Sequence, residues 1–260
     1  MKKYKLSIVV CVADDIRIKK FLNSINQNCE VIVVLNGATK KVEKIVNKYK
    51  NNKIFNLKIV KLKERNLSKS RNVGILKAKF DKVLYYDSDC EMTENAIELF
   101  DKKLNDYLLV DGKVLFRKDT FQSKIVSIQR SMGLPGYALC PAIGIHKKIL
   151  KKIKYYFDED IKWIEDSELN IRAKKENIEV GIIDELTCIH DNLTFKVDLR
   201  SAFRYGTGVK IAAKKGLHKK RPTANWNLII PCFKEKFLAG IYCIVWNIVY
   251  CVGYYVTRYK

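Results

Sequence analysis

With 260 residues, 48% of them hydrophobic and 30% charged, the chain can bury one substantial core, or one domain with an appendage, and is not a disordered tail. Its formal net charge of +22 favours anionic partners, yet it lacks the RNP aromatics, zinc fingers and basic zippers of nucleic-acid binders, so no nucleic acid is expected. Eight scattered cysteines with no Cys-x-x-Cys pair argue against a zinc site. With a charged N-terminus in place of a signal peptide, they also argue against a disulfide framework and indicate a reducing, cytosolic setting.

Residues 6–12 (LSIVVCV) read as a buried strand, because β-branched side chains fill an enclosed pleated surface well. Residues 14–28 read as a helix with Ile18, Phe21, Leu22 and Ile25 on one face. A second apolar strand at 30–35 closes in Asn36-Gly37, a pair that tolerates positive φ. Thr39 opens another helix, with Val42, Ile45, Val46 and Tyr49 at helical spacing. Residues 57–62 alternate as a third strand, and 66–79 form a helix capped by Asn66 or Ser68. A fourth strand at 83–86 runs into Asp87-Ser88-Asp89. This alternation predicts a parallel sheet with right-handed crossovers, buried on both faces.

Further along, 94–104 is helical, 107–116 is strand and 129–141 is a Gly- and Pro-bearing loop beside a ligand or in a lid. A short strand at 142–146, a basic helix at 147–154, a helix from Glu165 to about Lys175 and short strands at 180–183 and 186–190 complete the set.

Asp87 and Asp89 stand where a buried strand ends, and ligands of open α/β sheets sit just beyond such ends. Two carboxylates there repel unless a cation joins them, and oxygen donors suit Mg²⁺ or Mn²⁺ with a substrate phosphate completing the shell. The competing reading is a helix cap and turn, which all three residues also favour.

The ordered set LSIVVCV, EVIVV with its polar turn, Ser70-Arg71-Asn72-x-Gly74, Asp87-Ser88-Asp89, Phe157-Asp158-Glu159 and Glu165-Asp166 resembles the GT-A glycosyltransferases of family 2, over roughly residues 5–208. The resemblance implies a Rossmann-like, mostly parallel α/β sheet flanked by helices, and a single inverting displacement on a nucleoside-diphosphate sugar. Asp89 would then hold Mg²⁺ or Mn²⁺ against the diphosphate, with Asp87 supporting the ion or the ribose. Asp166 would be the base that deprotonates an acceptor hydroxyl, at a helix N-terminus whose dipole favours a carboxylate; acidic residues there also serve merely as caps. Glu165 would touch the acceptor or support Asp166, with the two roles exchangeable. His190, one of three histidines, would reach the metal or diphosphate, unless it is a satisfied structural histidine. Arg71 falls in the segment that contacts the nucleobase, and Val12 at the end of the first strand falls in the donor-binding stretch.

The chain departs from the family pattern in places. Cys11-Val12-Ala13-Asp14 replaces the usual Pro-x-aromatic-Asn stretch, and Asn36 stands where many members carry an aspartate that accepts a bond from uracil. An asparagine carbonyl can accept the same bond, so a UDP-sugar is the expected donor. The Gln-x-x-Arg-Trp motif of processive synthases is missing, and RSAFRYGTG at 200–208 takes its place, which favours adding one sugar at a time.

The composition changes after residue 208, so the expected organisation is a GT-A domain at 1–208 and a basic, then apolar, membrane-associating segment at 209–260. Residues 237–257 are uncharged, and their roughly 21 residues would reach about 30 Å as a helix, a bilayer core. Tyr242, Trp246, Tyr250 and Tyr254 form an aromatic stripe, and Gly240, Cys243, Asn247 and Cys251 line a smaller, slightly polar face. The segment would span the bilayer, lie in its interface with the aromatics at headgroup level, or pack on the enzyme itself. The expected protein works at the cytoplasmic face of the plasma membrane, on a glycan or polyprenyl-linked acceptor. Its rivals are a polyprenyl-phosphate sugar synthase and an inactive sugar-nucleotide binding protein.

Overall fold

The computed structural model describes residues 3–132, 136–218 and 226–258. Its first half is a parallel block of β1 (Lys3–Val12), β2 (Asn28–Asn36), β3 (Asn56–Leu62) and β4 (Lys82–Asp87), in the order β3-β2-β1-β4. The crossovers carry α1 (Ile18–Ser24), α2 (Lys40–Asn47) and α3 (Leu67–Lys77). Ile8, Val10, Val31 and Val33 face one layer of the core, and Val9, Ile32 and Val34 face the other. Burial on both faces is why these strands read as solid apolar runs rather than as alternating ones. Cys11 pairs with Asp87 and Val12 with Leu35, so β1, β2 and β4 end along one rim. A Cβ at Gly74 of α3 would collide with Val9, so the glycine lets this helix lie close on the sheet.

The second half contains β5 (Cys90–Met92), α4 (Ala96–Lys103), β6 (Leu109–Phe116), α5 (Phe121–Ser131), β7 (Ala142–His146), α6 (Glu165–Lys175) and β8 (Val180–His190). The sheet order is β3-β2-β1-β4-β7-β6-β8-β5. β7 runs antiparallel to both neighbours, β6 pairs parallel with β8, and β5 closes the edge antiparallel to β8. The expected mostly parallel α/β sheet with flanking helices is therefore observed.

Local boundaries differ for physical reasons. The helix expected from residue 14 starts at Ile18, because the Asp15 carboxylate accepts from Arg17 N–H (2.9 Å) and forks with the Arg17 guanidinium, giving the backbone a turn instead. Residues 147–154 yield only a 3-10 segment, Lys147–Lys151. The two short strands expected at 180–183 and 186–190 are one strand, β8, whose register against β6 slips between Gly112 and Val114. α5 extends through Gln129–Ser131, the start of the expected loop, and is capped reciprocally by Thr120 and Ser123. Residues 133–135 of that loop lie outside the described residues, so its reading as a lid does too.

The C-terminal part holds α7 (Phe195–Lys214), α8 (Trp226–Glu235) and α9 (Phe237–Val256). The boundary expected at residue 208 falls inside α7, which runs on unbroken. α7 and α9 meet at backbone distance: a Cβ at Gly206 would strike the Tyr250 carbonyl, and one at Gly253 the Phe203 carbonyl. Asp198, fully buried on α7, accepts from Arg130 Nε (2.7 Å) and from Tyr242 Oη (2.6 Å), which ties α5, α7 and α9 together. Tyr242 and Tyr254 are buried, while Trp246 stacks on Tyr250 and lies under the Arg130 guanidinium. The aromatic stripe thus faces protein, the placement in which the segment packs on the enzyme itself; Tyr242 Oη finds its partner in Asp198, while Trp246 Nε1 is buried with no hydrogen-bond partner. The outer face of α9 is aliphatic instead, with Ile241, Ile244, Val245, Ile248 and Val252 exposed.

Candidate active site

Strand β4 carries the chain to the rim between two anchored tyrosines: Tyr85 Oη donates to the Arg71 carbonyl (3.0 Å) and Tyr86 Oη to the Thr187 carbonyl (3.1 Å). Asp87 follows at the rim, with its side chain partly exposed. Desolvation pushes its carboxyl above the usual range against the pull of Arg71, and Asp89, His190 and Asp166 all act on it electrostatically. Asp89 and Asp166 thus both lie near enough to Asp87 to act on its charge.

Arg71 comes from α3 and is only 4% exposed. Its guanidinium makes a very short contact with Glu165 and reaches Asp87 Oδ1 at 3.4 Å, with the Phe157 ring alongside. This corrects the expectation that Arg71 touches a nucleobase, because its charge is spent on two carboxylates beneath the rim. Glu165, at the start of α6, is 2% exposed and cannot meet an acceptor; it supports. Burial pushes its carboxyl up to about 7 against the opposing Arg71 charge, with Asp166 adding to the rise. Glu165 Oε2 is buried with no hydrogen-bond partner, so the pairing rests on the other oxygen.

Asp166 is the more open member of the pair. Its Oδ2 accepts from Cys140 N–H (3.0 Å) and its Oδ1 from Ser167 N–H (2.7 Å). One residue earlier, Leu139 N–H donates to Asp111 Oδ1 (3.2 Å), and Asn170 exchanges two bonds with the Ala138 backbone at 2.8 and 2.6 Å. Three side chains thus hold the strip 138–140. Burial pushes the Asp111 carboxyl up to about 7, with the Leu139 N–H opposing and the Asp166 charge adding.

On the other side of Asp87, the β5–β8 ladder pairs Cys90 with His190, and Asp191 N–H donates to the Asp89 carbonyl (3.0 Å). His190 Nδ1 lies 2.8 Å from the Asp191 carbonyl, which assigns the proton to Nδ1 and turns the Nε2 lone pair toward Asp89 Oδ2 at 3.6 Å. Two acceptors facing each other at that distance fit a cation between them. Asp89, Cys90 and His190 are the only group of potential metal ligands that cluster among the described residues. Burial holds the Cys90 thiol well above its usual value, so it is no thiolate, and the useful set is one carboxylate and one imidazole. A hard divalent ion completed by substrate oxygens fits that set.

Two of the expected donor contacts change character. The Val12 side chain is in the core, leaving only its main chain for a ligand. The Asn36 carbonyl already accepts from Asn66 N–H (2.8 Å), joining the end of β2 to the cap of α3 and using one of its two lone pairs. Sequence reasoning missed Asp111 and Arg17. A lone aspartate in the otherwise apolar start of β6 was a usable signal for the first. For the second the signal was an Asp-x-Arg pattern just past the end of β1. Arg17 lies 3.2 Å from Asp89 Oδ2 and 3.6 Å from Asp191 Oδ2.

This rim, sheet and site define a GT-A nucleotide-sugar enzyme fold. The family described as glycosyl transferase family 2 matches residues 7–156, more than half of the chain, and the chain belongs to that family. It is 30% identical over 102 residues to a cholesterol galactosyltransferase of Borreliella burgdorferi, a match covering 37% of this chain and 28% of the relative. It is 30% identical over 154 residues to the poly(ribitol-phosphate) beta-N-acetylglucosaminyltransferase TarS of Staphylococcus aureus, covering 55% of this chain and 26% of that protein. The matches thus span little more than a quarter of these relatives. Among solved structures, TarS residues 1–349 with UDP-GlcNAc superpose with a TM-score of 0.58 at 18% identity, covering 97% of this chain and 91% of that one. The mannosyltransferase PcManGT of Pyrobaculum calidifontis, bound to GDP-Man and Mn²⁺, gives 0.63 at 13% identity, covering 99% and 77%. These likenesses establish the fold.

Proposed function

We propose that the protein is an inverting glycosyltransferase that moves one sugar from a UDP-sugar to a hydroxyl of a lipid-linked or cell-surface glycan precursor. The observation that carries this reading is the gathering of Asp89 and Asp166 around Asp87 at the carboxyl rim of the sheet. Relatives named for glycosyl transfer, one solved with UDP-GlcNAc, support the same donor class.

Asp166 accepts the proton of the incoming hydroxyl, on a lone pair that the Cys140 N–H leaves free. Glu165 and Arg71 form the floor that fixes the first turn of α6 and the orientation of Asp87. Asp89 and His190 would hold a Mg²⁺ or Mn²⁺ ion, which when bound supplies positive charge to the departing diphosphate. Asp87 stands beside them to orient the ribose or support the ion.

The C-terminal segment, residues 226–260, docks the enzyme on the cytoplasmic face of the plasma membrane. α9 is long and apolar enough to cross a bilayer, but its packing against α7 favours a helix lying in the interface. Its aliphatic outer face, with Lys234, Lys236 and Arg258 at its ends, suits an anionic leaflet.

The test is a pair of variants in a sugar-nucleotide binding and transfer assay. Asp89→Ala loses Mn²⁺-dependent nucleotide binding and turnover together. Asp166→Asn keeps donor binding while transfer falls by roughly 10²–10⁴-fold, the worth of a general base. Transfer that survives in Asp166→Asn would instead indicate a phosphate acceptor, which needs no base. A wild type that binds donor without ever transferring would be a binding protein.

A further inference from the structure

We propose that Arg17 is a diphosphate-binding residue that rests on the metal-site aspartate until the ion arrives; the inference relies on the metal and donor reading above. Arg17 immediately precedes α1, in the turn after β1, and belongs to none of the segments that carry the family resemblance. Its guanidinium is forked on Asp15, with Nε at 3.0 and 3.1 Å from the two oxygens and Nη2 at 2.7 Å. The same Nη2 lies 3.2 Å from Asp89 Oδ2, and Nη1 lies 3.6 Å from Asp191 Oδ2.

Asp89 Oδ2 is also the oxygen that His190 Nε2 faces. An ion between those two atoms and the Arg17 guanidinium would therefore compete for one oxygen, as like charges a few ångströms apart. Arg17 has somewhere to go. Its side chain is one-third exposed, Asp15 tethers it at the rim, and Lys20 at 3.6 Å continues to balance Asp191 when Arg17 turns away. A diphosphate bound to the ion brings oxygens to that spot, and a planar guanidinium matches phosphate oxygens in pairs. The arginine thus neutralises Asp89 before an ion binds and adds positive charge beside the leaving group once the ion has taken Asp89.

The full-length chain is tested with two neutral variants of similar length, Arg17→Gln and Arg17→Met, each confirmed folded by its melt. Mn²⁺ binding without nucleotide is read from the free-ion paramagnetic resonance signal. UDP and uridine binding at saturating Mn²⁺ are read by calorimetry. Both variants should bind Mn²⁺ about tenfold more tightly and UDP about tenfold more weakly than wild type, with uridine unchanged. Mn²⁺ affinity within twofold of wild type would overturn the shared-oxygen half. UDP affinity within twofold, or uridine weakened equally, would overturn the phosphate half and leave Arg17 a structural ion pair. If neither wild type nor variants bind Mn²⁺, the metal reading itself falls, a result distinct from the others.

Discussion

Replacing Arg71 with methionine removes one member of a buried ion pair and leaves the other in place. Arg71 is 4% and Glu165 2% exposed, so water cannot take over the lost contact, and Glu165 Oε2 already has no partner. Breaking such a pair costs about 3–5 kcal/mol, because an uncompensated charge stays buried. At about 2–4 °C per kcal/mol for a chain of this size, the melting midpoint should fall by about 6–20 °C. The deficit should also depend on pH. Without the opposing Arg71 charge, the Glu165 carboxyl rises above the value of about 7 that it holds in the wild type. A carboxyl raised on folding contributes stability below its unfolded pKa and loses it as pH climbs through the folded one. Arg71→Met should therefore be nearly tolerated at pH 5 and worst at pH 8. The double variant Arg71→Met/Glu165→Leu, with no charge left to strand, should recover most of the loss. Urea unfolding of all four proteins at both pH values closes the cycle. A single variant that loses less than about 1 kcal/mol at pH 8, or a double no better than the single, would refute the buried-pair account.

Asp111→Asn should stabilise the protein at pH 8 and leave it unchanged near pH 4, because the Asp111 carboxyl is raised to about 7 and wild type loses that stability as pH rises. The shift sets an upper bound of about 4 kcal/mol, and partial solvent access should lower the gain to about 1–3 kcal/mol in urea unfolding. Gly206→Val drives a side chain into the Tyr250 carbonyl and should cost about 1–3 kcal/mol or lift α9 from α7; proteolysis of the C-terminal helix and flotation with anionic vesicles report which. Tyr242→Phe leaves the fully buried Asp198 short of one donor and should cost about 1.5–3 kcal/mol in the same unfolding assay.

The parallel half of the fold was legible because burial on both faces leaves no room for polar residues, so strands such as β2 announce themselves. β5 was not, since three residues cannot display a period; it exists because β8 offers it a ladder. Asp87, Asp89 and Asp166 could be read from the ordered motifs, and the fold places Asp89 and Asp166 near Asp87. The depth of each could not. Glu165 and Asp166 are neighbours in sequence, yet one sits under the rim on Arg71 and the other opens toward Cys140, because consecutive residues of a helix point in different directions. The aromatic stripe of α9 was legible as a face, but whether it met lipid or protein was left open. Spacing reveals that residues share a side, not what that side meets, and only Asp198 and Arg130, some 40 to 110 positions away, decide it.

The short ribbon of β5 and β8 has a consequence for how an ion would be received. Cys90 and His190 are a hundred residues apart in the chain but are cross-strand partners, and a main-chain bond locks Asp89 to Asp191 beside them. The main chains that carry the carboxylate and the imidazole can drift apart only by unzipping an edge ladder. Their relative placement is thus settled when the protein folds, and little ordering remains for the moment of capture. Selectivity for a bound ion would then come from a gap set largely by the backbone, so swapping the cation should change occupancy more than it changes shape.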